Sequence, residues 1–202
     1  MTDNTSICAV LLAGGKSQRM GQNKAFLELG EKTFLDIALE KLCCLDVDEI
    51  LVSGDPDIFS PAIDTGKYAK QITVIGDTVK DKGPLGGLYS CFCHTKCSSA
   101  LVVTTDTPLI SADTLNSLIM HHRDNNKDAS VLAAASHIEP LIAVYRTGTR
   151  DIIKELLDND RLSMRSLIDR IDTCFPDLNP DPSELYNCNT KEDYLILISH
   201  LP

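Results

Sequence analysis

The chain has no apolar stretch long enough to span a bilayer, and no basic residue among Met1-Thr2-Asp3-Asn4-Thr5-Ser6 to open a secretory leader. The apolar run that follows passes into a glycine-rich loop without a small-residue cleavage pattern, so the expectation is a cytoplasmic protein without signal peptide or membrane partner. It also lacks any excess of positive charge. Nineteen Lys and Arg stand against 29 Asp and Glu, a net charge of −10, which argues against nucleic acid or an anionic membrane as the main partner. A phosphorylated small molecule stays open, because such ligands answer to local cations and metal ions. The eight cysteines contain no C-x-x-C pair and no zinc-ligand array. Reduced thiols packed as small hydrophobes are the expectation, with Cys188 set apart because it falls in a segment of functional interest.

With 202 residues and 43% hydrophobic content, the chain can bury a full core. The simplest count is a single α/β domain over residues 1–202, with a nucleotide-binding half at 1–110 and an acceptor-binding half at 111–202.

The segment that organises this reading runs from Leu11 to Lys24. It leaves the apolar run Ile7 to Leu12 and at once gathers Gly14, Gly15, Gly21, Lys16, Arg19 and Lys24. Glycines let the backbone bring its amides against an anion, and the cations neutralise it, so a polyphosphate is the natural guest. Neither a Walker loop nor a Gly-x-Gly-x-x-Gly fingerprint is present in it.

Downstream, the spacing predicts a helix over Thr33–Leu45 with Thr33 as its cap, a strand Glu49–Ser53 ended by Gly54-Asp55-Pro56-Asp57, and a strand Gln71–Ile75 closing on Gly76-Asp77. Strand, glycine loop, helix and strand open an α/β sheet with crossover connections. Asp77 then stands at a strand's carboxyl end, where open α/β sheets bind ligands. Lys82-Gly83-Pro84-Leu85-Gly86-Gly87 reads as a loop leading into a helix Leu88–His94. Ala100–Val103 reads as a buried parallel strand running into Thr104-Thr105-Asp106-Thr107-Pro108. Pro108 blocks an early helix, so Asp106 is presented at the strand end, where a carboxylate can bind Mg²⁺. A helix Ser111–His122 follows, whose basic last turn is enough to explain His121 and His122. Strands Ala129–Ala135 and Pro140–Tyr145, helices Thr149–Asp158 and Leu162–Ile171, and a last helix Lys191–Leu201 capped by Thr190 complete the chain. Arg161, Arg165 and Arg170 read as an ordinary solvated helix face in preference to an acceptor-steering patch.

Four of these stretches, in this order, resemble nucleotidyltransferases of the molybdenum cofactor guanylyltransferase (MobA-like) family. They are Leu12-Ala13-Gly14-Gly15 with Ser17, Arg19, Met20, Gly21 and Lys24; Gly83 to Gly87; Asp106-Thr107-Pro108; and Asn187-Cys188-Asn189-Thr190. The resemblance implies a three-layer, Rossmann-like α/β fold with a mostly parallel central sheet. It implies transfer of GMP from GTP to the terminal phosphate of molybdopterin, with release of pyrophosphate. Arg19, Lys24 and Asp106 would be catalytic, with Mg²⁺ on Asp106. The nucleotide would meet Leu12, Ala13, Gly14, Gly15, Lys24, Ser53, Asp77, Gly83, Pro84, Leu85, Gly86 and Asp106, with the Gly14 and Gly15 amides on the β and γ phosphates. Asn187 and Asn189 would face the pterin, whose ring edge alternates donors and acceptors as an amide does. Partners implied are GTP, molybdopterin, and the proteins that carry molybdopterin or receive the finished cofactor. Two departures stand out: Ser53 where the family has an asparagine toward the base, and Glu139 where a histidine often precedes the proline. A molybdopterin cytidylyltransferase, a sugar-phosphate nucleotidyltransferase and a non-catalytic GTP-binding delivery module remain as alternatives.

Overall fold

The structure, a computed structural model, describes residues 6–14, 23–134 and 137–199. Its strands are β1 (Ile7–Leu12), β2 (Glu28–Leu29), β3 (Lys32–Thr33), β4 (Ile50–Ser53), β5 (Ile72–Ile75), β6 (Ser99–Thr104), β7 (Ala129–Ala134), β8 (His137–Arg146) and β9 (Thr173–Cys174). The α-helices are α1 (Phe34–Cys43), α2 (Pro56–Ala62), α3 (Gly83–His94), α4 (Ala112–Asp124), α5 (Arg150–Asp158), α6 (Met164–Ile168) and α7 (Lys191–Ser199). Seven strands form one sheet in the order β5-β4-β1-β6-β8-β7-β9, while β2 and β3 pair apart as a small hairpin.

The pairs β5·β4, β4·β1 and β1·β6 are parallel, β6·β8 and β8·β7 antiparallel, and β7·β9 parallel, so β8 alone runs against the rest. The chain therefore builds outward from β1 through β4 to β5, then returns to the other side of β1 with β6. That reversal leaves a crevice at the carboxyl ends of β1 and β6, the usual ligand position in an open α/β sheet. Register puts these ends level, since Leu12 lies opposite both Ser53 of β4 and Thr104 of β6.

Both faces of β1 are buried, and its alternation sorts the core into two layers. Ala9 and Leu11 pack with Leu35, Leu39 and Leu42 of α1 and with Leu115 and Leu118 of α4. Val10 and Leu12 point the other way, onto Leu85, Leu88 and Phe92 of α3 and the apolar stripes of α5 and α6. This is the three-layer arrangement expected of a parallel sheet covered on both sides.

Helix starts follow the local chemistry. Thr33 caps α1 reciprocally: its Oγ1 accepts from the Asp36 amide at 3.0 Å, and Asp36 Oδ2 accepts from the Thr33 amide at 3.2 Å. Ser111 caps α4, accepting from the Thr114 amide at 3.0 Å. The Gly54-Asp55-Pro56-Asp57 segment does more than end a strand. Asp55 caps α2 and Pro56 occupies its first turn. The largest departure is at 82–87, where no loop precedes the helix: α3 already begins at Gly83 and runs through Gly86 and Gly87. Pro84 suits a first turn, and Gly87 lets the helix lie against the sheet. A Cβ there would stand 2.3 Å from Ser53 Oγ and 3.3 Å from Leu12 Cδ2. Strand β8 begins at His137, three residues before the expected strand, while Ala135 and Ser136 lie outside the described residues, as does Leu201 at the end of the last helix. The second of the two later helices shortens to Met164–Ile168.

His122 also differs from its expected place. It turns inward from α4, with Nδ1 3.0 Å from Ser130 Oγ and Nε2 3.2 Å from Ser99 Oγ. Burial, then the nearby Arg146 and His121, pulls its pKa down to about 4, so the ring is neutral.

Two predictions follow from this packing. A histidine depressed from 6.5 to about 4 on folding binds its proton more readily in the unfolded chain, so its contribution is present above pH 6.5 and is lost as pH falls toward 4. Urea titrations across that window should show a steep acid-side loss of stability that flattens in His122→Gln. At Gly54, an added Cβ would meet two ring atoms of Phe59 at 2.6 Å, and that ring is buried and stacked on Phe26. Gly54→Ala should cost about 1–3 kcal/mol, read as a lowered Tm by calorimetry.

Candidate active site

The carboxyl edge of the sheet collects the segments singled out in the sequence. After β1 the chain turns over the end of β4: the amides of Ala13 and Gly14 donate to the Ser53 carbonyl at 3.0 and 2.8 Å. Gly14 thus has its N–H committed to the protein, which corrects the expectation that this amide holds a phosphate. Gly15 and Arg19 lie outside the described residues. Leu12 and Ala13 are both buried, Leu12 within the layer beneath α3.

Ser53 is also not the base contact that its position suggested. It is 4% exposed and packs against Gly87. Asp77 stands at the rim beyond β5. Partial burial of its carboxyl raises its pKa, the nearby Ser53 hydroxyl opposes that, and the Asp81 charge adds to it. Leu85 is 0% exposed and Gly86 buried, so the Leu85 side chain belongs to the core and cannot touch a nucleotide. Gly83 and Pro84 remain exposed at the start of α3, Gly83 with φ 61°. That end of the helix is tied down by the Lys82–Asp160 ion pair.

The catalytic candidates meet around a separate small core. Leu27, Phe34, Cys188 and Leu197 are buried together, with Leu109, Tyr186 and Tyr194 packed against them. This cluster brings the exit of the first loop, the segment after β6 and the C-terminal part of the chain to one place. Asn23 caps a single 3₁₀ turn, accepting from the Ala25 amide at 3.0 Å, and so fixes Lys24 at its start. Lys24 Nζ donates to Asn189 Oδ1 at 2.6 Å. The Cys188 amide donates to the Asp106 carbonyl at 2.8 Å. Asn189 is set in turn by Asp193, whose Oδ2 accepts from the amides of Asn189 and Thr190 at 2.8 Å each, bonds that lower the Asp193 pKa. Asp193 N donates back to Thr190 Oγ1 at 3.1 Å, the cap expected of Thr190. Asn187 lies beside Asn189 in the chain, half-buried, its amide donating to the Leu185 carbonyl at 3.4 Å.

Cys188 is 0% exposed and serves as packing. Burial pushes its thiol up to about 11 against the pull of Lys24, so it stays protonated and unreactive. All eight cysteines are free.

Asp106 Oδ1 is shielded from solvent and has no hydrogen-bond partner among the described residues, and the same is true of Thr107 Oγ1. A buried carboxylate oxygen without a partner costs free energy unless a ligand satisfies it. Mg²⁺ needs only one or two protein carboxylates and completes its shell with phosphate and water. The donor set therefore fits such an ion, although the described residues hold no group of three or more His, Cys, Asp or Glu suited to a metal.

Sequence reasoning treated Glu139 only as a departure from a family pattern. The structure gives it a place. Because β8 is antiparallel to β6, its first residues lie toward the carboxyl edge of the sheet, and the β7·β8 register shifts between Val131 and Leu132. Glu139 is half-buried there. Burial raises its pKa, the Asp106 charge raises it further, and His137 opposes both. Of the three arginines singled out in the second half, Arg165 pairs with Asp169 at 2.9 Å and Arg170 with Glu155 at 2.7 Å, as a solvated face would.

Comparison with known proteins agrees with this architecture. The family model of the MobA-like NTP transferase domain matches residues 9–174. A protein of Peptoclostridium acidaminophilum named as a probable molybdenum cofactor guanylyltransferase is 29% identical over 196 residues, covering 92% of this chain and 85% of that protein. Among solved structures, molybdopterin-guanine dinucleotide biosynthesis protein A from Archaeoglobus fulgidus superposes with a TM-score of 0.80 at 19% identity, over 95% of this chain and 97% of that one. The 4-diphosphocytidyl-2C-methyl-D-erythritol synthase of Anaerococcus prevotii reaches the same TM-score, 0.80, at 16% identity, over 98% of this chain and 97% of that one. At such identities these two structures speak for the fold alone. The Rossmann-like, three-layer architecture and the match along most of the chain place it as a nucleotidyltransferase, a member of the MobA-like NTP transferase family.

Proposed function

We propose that the chain transfers GMP from GTP to the terminal phosphate of molybdopterin. The observation that carries this reading is the meeting of Lys24, Asp106 and the Asn187–Asn189 segment at one end of the sheet, with a buried Asp106 oxygen left for a ligand. The names of the relatives supply the guanine and the pterin.

In the step proposed, an oxygen of the acceptor phosphate bonds to the α-phosphorus of GTP, the bond from that phosphorus to the α–β bridging oxygen breaks, and pyrophosphate leaves with the electron pair. The nucleophile is already an anion, so no general base is needed. The task left to the protein is alignment of like charges and their neutralisation. Asp106 would hold Mg²⁺, which would supply charge neutralisation to the transferred phosphate. Lys24 has three donor protons, so it can keep Asn189 and still reach a polyphosphate oxygen. Arg19 and the Gly15 amide add to the same polyphosphate site. The exposed backbone at Gly83 and Pro84 lies toward the nucleotide, and Gly86 supports that turn from within α3. Asp77 presents a carboxylate able to accept from the N1–H and N2–H of guanine, while Ser53, the weaker candidate for the base, is buried. Asn187 and Asn189 would receive the pterin. Residues 1–110 thus carry the nucleotide and 111–202 the acceptor. Proteins that deliver molybdopterin or take the finished cofactor would be its partners.

Pyrophosphate release with Mg²⁺ and molybdopterin, compared for GTP, CTP, ATP and UTP, should occur with GTP alone. Release with CTP instead would move the chain to the cytidylyl reading. Lys24→Ala should lower kcat/KM by about 10²–10³-fold while circular dichroism stays unchanged. Full activity in that variant would remove Lys24 from the mechanism.

A further inference from the structure

Beneath the Asp106 segment, a small cavity is lined by Lys41 of α1 and by Thr104, Thr105, Thr107 and Pro108. Lys41 crosses from the last turn of α1 and donates through Nζ to the Pro108 carbonyl at 3.0 Å. The carboxylate facing it is Glu184, which also accepts from the Ser111 amide and from Thr114 Oγ1, each at 2.8 Å. Thr107, 2% exposed, lines the same confined space, and its Oγ1 has no hydrogen-bond partner among the described residues. The backbone two residues after Asp106 is thus held from below by α1.

This grip has a cost. Burial lowers the Lys41 pKa to about 8, with Glu184 opposing, which means the folded protein disfavours the ammonium that it encloses. A methionine of similar reach would escape that penalty but would leave the Pro108 carbonyl without its donor. What the lysine supplies is a directed hydrogen bond to the backbone two residues beyond Asp106.

We propose that Lys41 is a positioning residue for the transfer site: by holding the Pro108 carbonyl, it fixes the Asp106 carboxylate in the orientation from which it binds a divalent cation. The inference rests on the proposed function, in which Asp106 binds that cation. Lys41 itself touches neither cation nor substrate.

The test is Mn²⁺ binding to the full chain without nucleotide, followed by electron paramagnetic resonance well below the Tm of every variant. Lys41→Met should weaken Mn²⁺ binding about tenfold, the low end of what losing a group that orients a metal ligand costs, while its circular dichroism stays that of the parent. Lys41→Arg should restore part of the affinity. Leu118→Ala, in the core on the same side of the sheet, controls for general loosening: it should lower Tm and leave Mn²⁺ binding unchanged. Unchanged Mn²⁺ affinity in Lys41→Met would overturn the inference, and so would an equal loss in Leu118→Ala. Asp106→Asn separates this from the reading beneath it. If that variant loses Mn²⁺ while Lys41→Met keeps it, only the role of Lys41 fails; if Asp106→Asn binds Mn²⁺ as the parent does, the cation site itself is wrong.

Discussion

The amide of Cys188 donates to the carbonyl of Asp106, and through this bond the C-terminal part of the chain closes onto the carboxyl edge of the sheet. A single backbone hydrogen bond contributes only about 0.5–1.5 kcal/mol, so it depends on the satellite core beneath it. Phe34, Leu27, Cys188 and Leu197 supply that core, drawn from two distant parts of the chain, 27–34 and 188–197. Without them, the central sheet would still have its two packed faces, but Lys24, Asp106 and Asn189 would have no common frame. The main core builds the fold, and this smaller one assembles the site.

The parts of this arrangement that were legible in sequence share a physical cause. β1, β4 and β6 are apolar runs ended by residues that cannot continue a strand, and Asp106 is pinned to such an end by Pro108. Capping residues such as Thr33, Ser111 and Thr190 act on amides three residues away, so their work is local and readable. The family resemblance added what no spacing shows, namely the guanine, the pterin and the pairing of distant motifs.

What was not legible depends on packing across long separations. Gly86 and Gly87 read as part of a loop before the helix, yet they stand inside α3, where Gly87 faces Ser53 of β4. Gly14 looked like an anion-binding amide until the Ser53 carbonyl was found to occupy it. His122 resembled a helix-end cation, but Ser99 and Ser130 hold it inside as a neutral ring. Lys41 sat unnoticed among helical residues because its partner, Pro108, is far away in sequence. Glu139 drew notice for the wrong reason, its relation to Asp106 being visible only once β8 is known to run against β6.

The sheet ends in strands that are short on both sides, β5 with four residues and β9 with two. An edge strand offers its free amides and carbonyls to any passing extended segment, and the hazard grows with its length. Here the more exposed side chains of α7, including Leu195 and Ile196, sit on a helix whose backbone is already satisfied. The described chain thus keeps both edge strands brief and carries much of its exposed apolar surface on helices. That division leaves little template for an added strand at either edge of the sheet.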